Sequence, residues 1–152
     1  MVRKLSVAGG VLALVAALAI PAANAAAPVT VSAQLKGSNE VPGPGDPNGK
    51  GEIFVTLKKA KRKVCFALSW KRIQGPKAGH IHRGGPDVAG PVKVKLFEQA
   101  NALPNPGAVD GCVSKRRRVI RRIARHPERF YVNLHNEEYP DGAIRGQLAL
   151  AL

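Results

Sequence analysis

The chain has 152 residues, a formal net charge of +14 and two cysteines. That length fits one ordinary domain, large enough to bury a core without needing a metal or many disulfides to fold, which excludes both a multidomain assembly and a minimal stapled scaffold. The positive balance attracts anions. Aromatic residues make up only 5% and do not interleave with the basic runs, so stacking on nucleic-acid bases is unsupported.

The N-terminus reads as a secretory leader. Arg3 and Lys4 precede an uncharged, mostly apolar run from Leu5 to Ile20, which Pro21 breaks. Ala23-Asn24-Ala25 supplies a small-x-small cleavage pattern, giving a leader over 1–25 and a single mature domain over 26–152. The run is short for a spanning helix, and no later stretch is apolar enough to cross a bilayer. The mature chain is therefore expected to be secreted or attached to the cell envelope.

Val29–Lys36 alternates apolar and polar residues and predicts a half-buried strand. The Gly- and Pro-rich stretch 37–51, which contains Glu40-Val41-Pro42, predicts a loop. Alternation over 53–58 and 64–71 predicts two strands, and the Lys/Arg-rich run 58–63 between them becomes the exposed turn of a hairpin. Trp70 falls at strand period and belongs in the core. Gly79-His80-Ile81-His82 follows, then a strand from Val92 to Leu96. The stretch 101–111, rich in Pro, Gly and Asn, reads as a long irregular connection ending at Cys112.

The only helical pattern is Lys115–Arg125, with Val119, Ile120 and Ile123 as its apolar stripe, Ser114 as its cap and Pro127 as its stop. Alternation over 130–135 and a segment from Ala143 to Leu150 predict the last two strands. Many short strands with one basic helix define a mainly β fold, an antiparallel, Greek-key-like β-sandwich or barrel. In an exported chain, Cys65 and Cys112 pair as a disulfide. It closes a loop of about 48 residues, which the chain-entropy model credits with about 4 kcal/mol.

Together, Gly79-His80-Ile81-His82 with Gly90-Pro91-Val92, and Tyr131-Val132-Asn133-Leu134-His135 followed by Tyr139-Pro140 and Gly142 to Leu148, resemble the CHRD domain. Leu35-Lys36-Gly37 and Glu40-Val41-Pro42 are similar to that family's opening motif. The resemblance spans about Val29 to Leu150. It implies an extracellular, β-rich module without an assigned biochemical activity. His126 stands outside the shared pattern.

Residues two apart on a strand share a face, so His80 and His82 face one way, as do Asn133 and His135. Two roles compete for these side chains. One is a satisfied polar network of Glu40, His80, His82, Asn133, His135 and Arg145 that fixes the strand register, with Glu40 pairing Arg145 or orienting a ring. This belongs to a non-enzymatic extracellular binding or structural module. The other is a three-histidine site for copper or zinc with an open position, formed by His80, His82 and His135. Cu/Zn superoxide dismutases place a His-x-His pair on a Greek-key barrel with an arginine guiding the anion, a role that would fall to Arg145, although this is analogy of fold alone. The chain lacks their fuller histidine and aspartate set.

A third function is binding of anionic cell-envelope polymers through Arg116, Arg117, Arg118, Arg121 and Arg122. An extracellular protein partner is also compatible with such a module. Ser69 and Ser114 lack a nucleophile context, and Glu137 and Glu138 read as solvated turn charges, so no catalytic residue is expected.

Overall fold

The computed structural model describes residues 27–151, so the leader assigned to 1–25 lies outside the described residues. Nine strands form one antiparallel sheet. They are β1 (Val29–Lys36), β2 (Lys50–Lys58), β3 (Lys63–Lys71), β4 (Ala78–Arg83), β5 (Val92–Glu98), β6 (Gly107–Ser114), β7 (Phe130–His135), β8 (Ile144–Gln147) and β9 (Ala149–Leu150). The order is β5-β4-β7-β8-β1-β2-β3-β6, with β9 also on β1. The end strands β5 and β6 lie against each other without pairing, so the sheet curls into a nearly closed barrel. The mainly β, antiparallel expectation holds.

The alternation read from the sequence decides what points inward. Val31 and Leu35 of β1, Ile53, Val55 and Leu57 of β2, and Val64, Phe66, Leu68 and Trp70 of β3 form one wall of the core. Trp70 is buried, and its indole N–H donates to Pro104 O at 2.9 Å, which satisfies the one polar atom it carries inward. Helix α1 (Arg117–Arg125) packs against β1 and β2 and adds the fully buried Ile120 and Ile123.

Three local expectations are corrected. Cys112 does not end an irregular connection but lies inside β6, which begins at Gly107. Gly107 and Gly111 hide that strand from the pattern because their faces are covered by aromatic rings: an added Cβ would stand 2.7 Å from the Trp70 ring and 3.4 Å from that of Phe66. Ser114 does not cap the helix; it closes β6, and the N-cap is Arg116, which makes no side-chain capping bond. The final segment is two strands, because buried Leu148 bends away and its N–H donates to Phe130 O.

Cys65 and Cys112 are direct cross-strand partners on β3 and β6 and form the disulfide. β6 is an end strand with only half-buried inward residues, so the crosslink secures the least anchored edge. Replacing both cysteines by serine should lower unfolding stability by about 2–4 kcal/mol. Urea denaturation of variant and parent measures this, and unchanged midpoints would contradict it.

Candidate metal centre

The site is built on the outer face of three adjacent strands. β4 pairs with β7 so that His80 stands opposite Asn133 and His82 opposite Tyr131. β7 pairs with β8 so that Asn133 stands opposite Arg145 and Tyr131 opposite Gln147. The result is two polar rows, His80–Asn133–Arg145 and His82–Tyr131–Gln147, with His135 opposite Ala78 one step along. The intervening residues Ile81, Val132, Leu134 and Ile144 fill the core. β7 is nonetheless buried on both faces, apart from half-buried His135 at its end, because loops close over the polar side.

Those loops supply oxygen atoms. The His82 Nδ1–H donates to Gly90 O at 2.8 Å, and the His135 Nδ1–H donates to Pro140 O at 2.8 Å. A carbonyl only accepts, so in both neutral rings the proton sits on Nδ1 and Nε2 carries a lone pair. His82 Nε2 has no hydrogen-bond partner. His80 Nε2 lies 3.0 Å from the Glu98 carboxylate, whose bonds from Lys95 and His80 hold it below its ordinary value. Nε2 of His80 is thus the donor, and Nδ1 is bare. That bare nitrogen faces His135 Nε2 at 3.1 Å.

One ring nitrogen from each of His80, His82 and His135 lies within 4.8 Å of the other two. Two lone pairs 3.1 Å apart repel unless a cation stands between them. The cation can be a proton, making His80 an imidazolium, or a metal ion. Burial, the largest effect on each ring, holds all three imidazoles below the ordinary histidine value. The proton is disfavoured and the neutral, ligand-competent rings are favoured.

A second layer fixes the loops. Arg145 is 1% exposed; its Nη2 donates to Gly85 O at 2.7 Å and Val88 O at 3.1 Å. Its guanidinium lies 3.4 Å from the Tyr131 ring centroid, and Tyr131 stacks on His82 with centroids 4.8 Å apart. The Gly90 N–H donates to the Tyr131 hydroxyl at 3.0 Å. Gly90 cannot be another residue without moving the loop, since an added Cβ would meet Arg83 O at 1.7 Å. Arg145 therefore holds the loop that holds His82.

Glu40 is expected from the sequence either to pair with Arg145 or to orient a ring. It forms no ion pair with Arg145 within 4 Å among the described residues, and its buried Oε1 has no hydrogen-bond partner. It packs against Gly142, whose positive φ of 152° and missing Cβ make room for the carboxyl. Asn133 sits between the two groups: its side-chain amide lies 3.1 Å from His135 Nε2, where only the NH2 end can meet a bare nitrogen, and it also faces Glu40.

The sequence did not single out Glu98 or the Gly90 and Pro140 carbonyls. Only the β4–β5 pairing and the loop paths bring them to the rings. Of the remaining candidate positions, Cys65 and Cys112 lie on β3 and β6, away from this face. Arg116, Arg117, Arg118, Arg121 and Arg122 are exposed at the N-cap of α1 and along it.

The CHRD domain family model matches residues 31–148, almost the whole described chain, and the protein belongs to that family. No curated protein matches the chain significantly. The family is one of extracellular-type modules, which the disulfide fits. Among the described residues no helix is long and apolar enough to cross a membrane.

Burial pushes the Glu40 carboxyl up from 4.5 to about 7, against the pull of the Arg145 charge. A raised folded value favours folding fully below pH 4.5, and the benefit is lost as pH rises through about 7. The three lowered histidines act in the opposite sense, favouring folding above 6.5 and losing that benefit as pH falls. The stability difference between the chelator-treated parent and Glu40→Gln should therefore shrink or reverse from pH 4.5 to above 7. Urea midpoints across that range check this, and a difference independent of pH contradicts it.

Proposed function

We propose that this protein is a secreted, histidine-based metal-binding module in which His80, His82 and His135 hold one copper or zinc ion. The observation that carries this reading is the commitment of each far ring nitrogen to an oxygen: Glu98 for His80, Gly90 for His82, Pro140 for His135. Ligating histidines are normally oriented in this way, the outer acceptor fixing the tautomer and raising the basicity of the other nitrogen. Two ligands at about 2.1 Å in tetrahedral array stand roughly 3.4 Å apart. The 3.1 Å pair is already near that separation, and the third nitrogen lies within 4.8 Å of both.

Three imidazoles suit Zn²⁺ and Cu²⁺, with copper bound more tightly by the general order of divalent affinities. They leave a position for a water or an exogenous ligand. Glu40, Asn133 and Arg145 are positioning groups in this reading: the network assigned to them organises the loops instead of competing with the ion. Export is supported by the leader pattern at 1–25, the disulfide and the family.

Metal-free protein should take up one equivalent of Cu²⁺ or Zn²⁺ by isothermal titration, while His80→Ala and His135→Ala should lose the site and keep the β-type circular dichroism of the parent. At a free concentration of about 100 times Kd, the ion should stabilise the parent by about 2.7 kcal/mol and leave the variants unmoved. Because the rings titrate below the usual histidine range, uptake should persist below pH 6.5 before protons displace the metal. Binding that survives either alanine substitution, or the absence of any uptake, overturns the reading.

A further inference from the structure

The two basic runs, remote in sequence, meet in space. The β2–β3 turn carries Arg62, and the segment leading into α1 carries Lys115 and Arg116. They are joined by the Lys115 N–H donating to Arg62 O at 2.9 Å and by the pairing of Lys63 with Ser114. Lys93 arrives from β5, the strand that faces β6 across the unpaired seam of the barrel. Arg62, Lys93, Lys115, Arg116 and Arg118, with Ser114, line a cleft of about 430 Å³.

No acidic side chain lines this cleft, and none of its five cations takes part in an ion pair among the described residues. Among the described lysines and arginines only Lys77, Lys95 and Arg129 have a carboxylate partner within ion-pair distance. The helix beside the cleft has no acid in its first turn and no side-chain cap, so its N-terminal dipole adds to the positive charge there. Five cations drawn from three separate segments create a positive potential that attracts anions.

We propose that this seam cleft binds the phosphate or sulfate groups of a linear anionic polymer. Arginine forks and lysine ammonium groups match such oxyanions, and Ser114 adds a hydroxyl donor. A polymer is favoured over a free ion because exposed Lys59, Lys61, Arg117 and Arg121 extend the positive surface along the same turn and helix. No aromatic side chain lines the cleft, so the polymer is read by its charges and not by stacked bases. This surface is separate from the histidine site and does not depend on a metal.

The test is polyphosphate binding by the protein, with Arg62→Gln, Arg116→Gln and Arg118→Gln combined, against a control combining Lys36→Gln, Lys50→Gln and Lys71→Gln, which sit together at the far end of β1, β2 and β3. Both variants lose the same charge from exposed positions. The cleft variant should bind about tenfold or more weakly, and its salt dependence should flatten by about three in slope, while the control stays close to the parent. Equal losses in the two variants overturn the cleft in favour of diffuse net charge. Inorganic phosphate binding as tightly as polyphosphate overturns the polymer, and a thymidine oligonucleotide binding tighter than polyphosphate of equal charge overturns recognition by charge alone.

Discussion

The antiparallel pairing of β4 with β7 is the constraint on which the candidate centre depends. Side chains alternate faces with a period of two, so the pairing of His80 with Asn133 and His82 with Tyr131 sends Ile81 and Val132 into the core together. A slip of one residue would drive two imidazoles into the apolar interior and expose Ile81. The buried aliphatic row thus enforces the polar row on the opposite face. Core packing sets the direction in which the histidines point, with no contribution from their own chemistry.

Direction alone does not make a ligand set; tautomer and ring angle do. These are determined by backbone carbonyls on two loops, and the loops are held by side chains from the same polar face. Arg145 anchors Gly85 and Val88, Tyr131 anchors Gly90, and Gly90 in turn fixes His82. A buried guanidinium is costly unless its bonds and stacking are well made. Here two carbonyls accept from Nη2 and an aromatic face stacks on the group, while Nη1 is left without a hydrogen-bond partner and no carboxylate lies within ion-pair distance. The seam cleft lies on another part of the barrel, where two sheet ends fail to pair and basic turns gather.

Much of this was legible in the amino-acid order. Strict alternation in 29–36, 53–58 and 64–71 identified the core wall, and the spacing of His80, His82 and His135 identified the cluster. What escaped has physical causes. β6 was hidden because Gly107 gives up its side chain to make room for Trp70 and Gly111 lies under the Phe66 ring, erasing the period. The helix start was misplaced because Ser114 is a familiar cap but continues the ladder opposite Lys63. Glu98 and the carbonyls of Gly90 and Pro140 could not be found, since backbone oxygens leave no residue signature and Glu98 acts only through the β4–β5 fold-back. Glu40 was placed in the right neighbourhood, and of its two expected roles the ion pair with Arg145 does not form.

The most direct test of the centre is nitrogen-15 NMR of the histidine rings, recorded with and without one equivalent of Zn²⁺. In the metal-free protein His82 and His135 should each carry their proton on Nδ1. On adding zinc, Nδ1 of His80 and Nε2 of His82 and His135 should shift to metal-bound values, while His126 stays unchanged. Protons on Nε2 of His82 or His135, or zinc shifts that bypass these three nitrogens, would contradict the account.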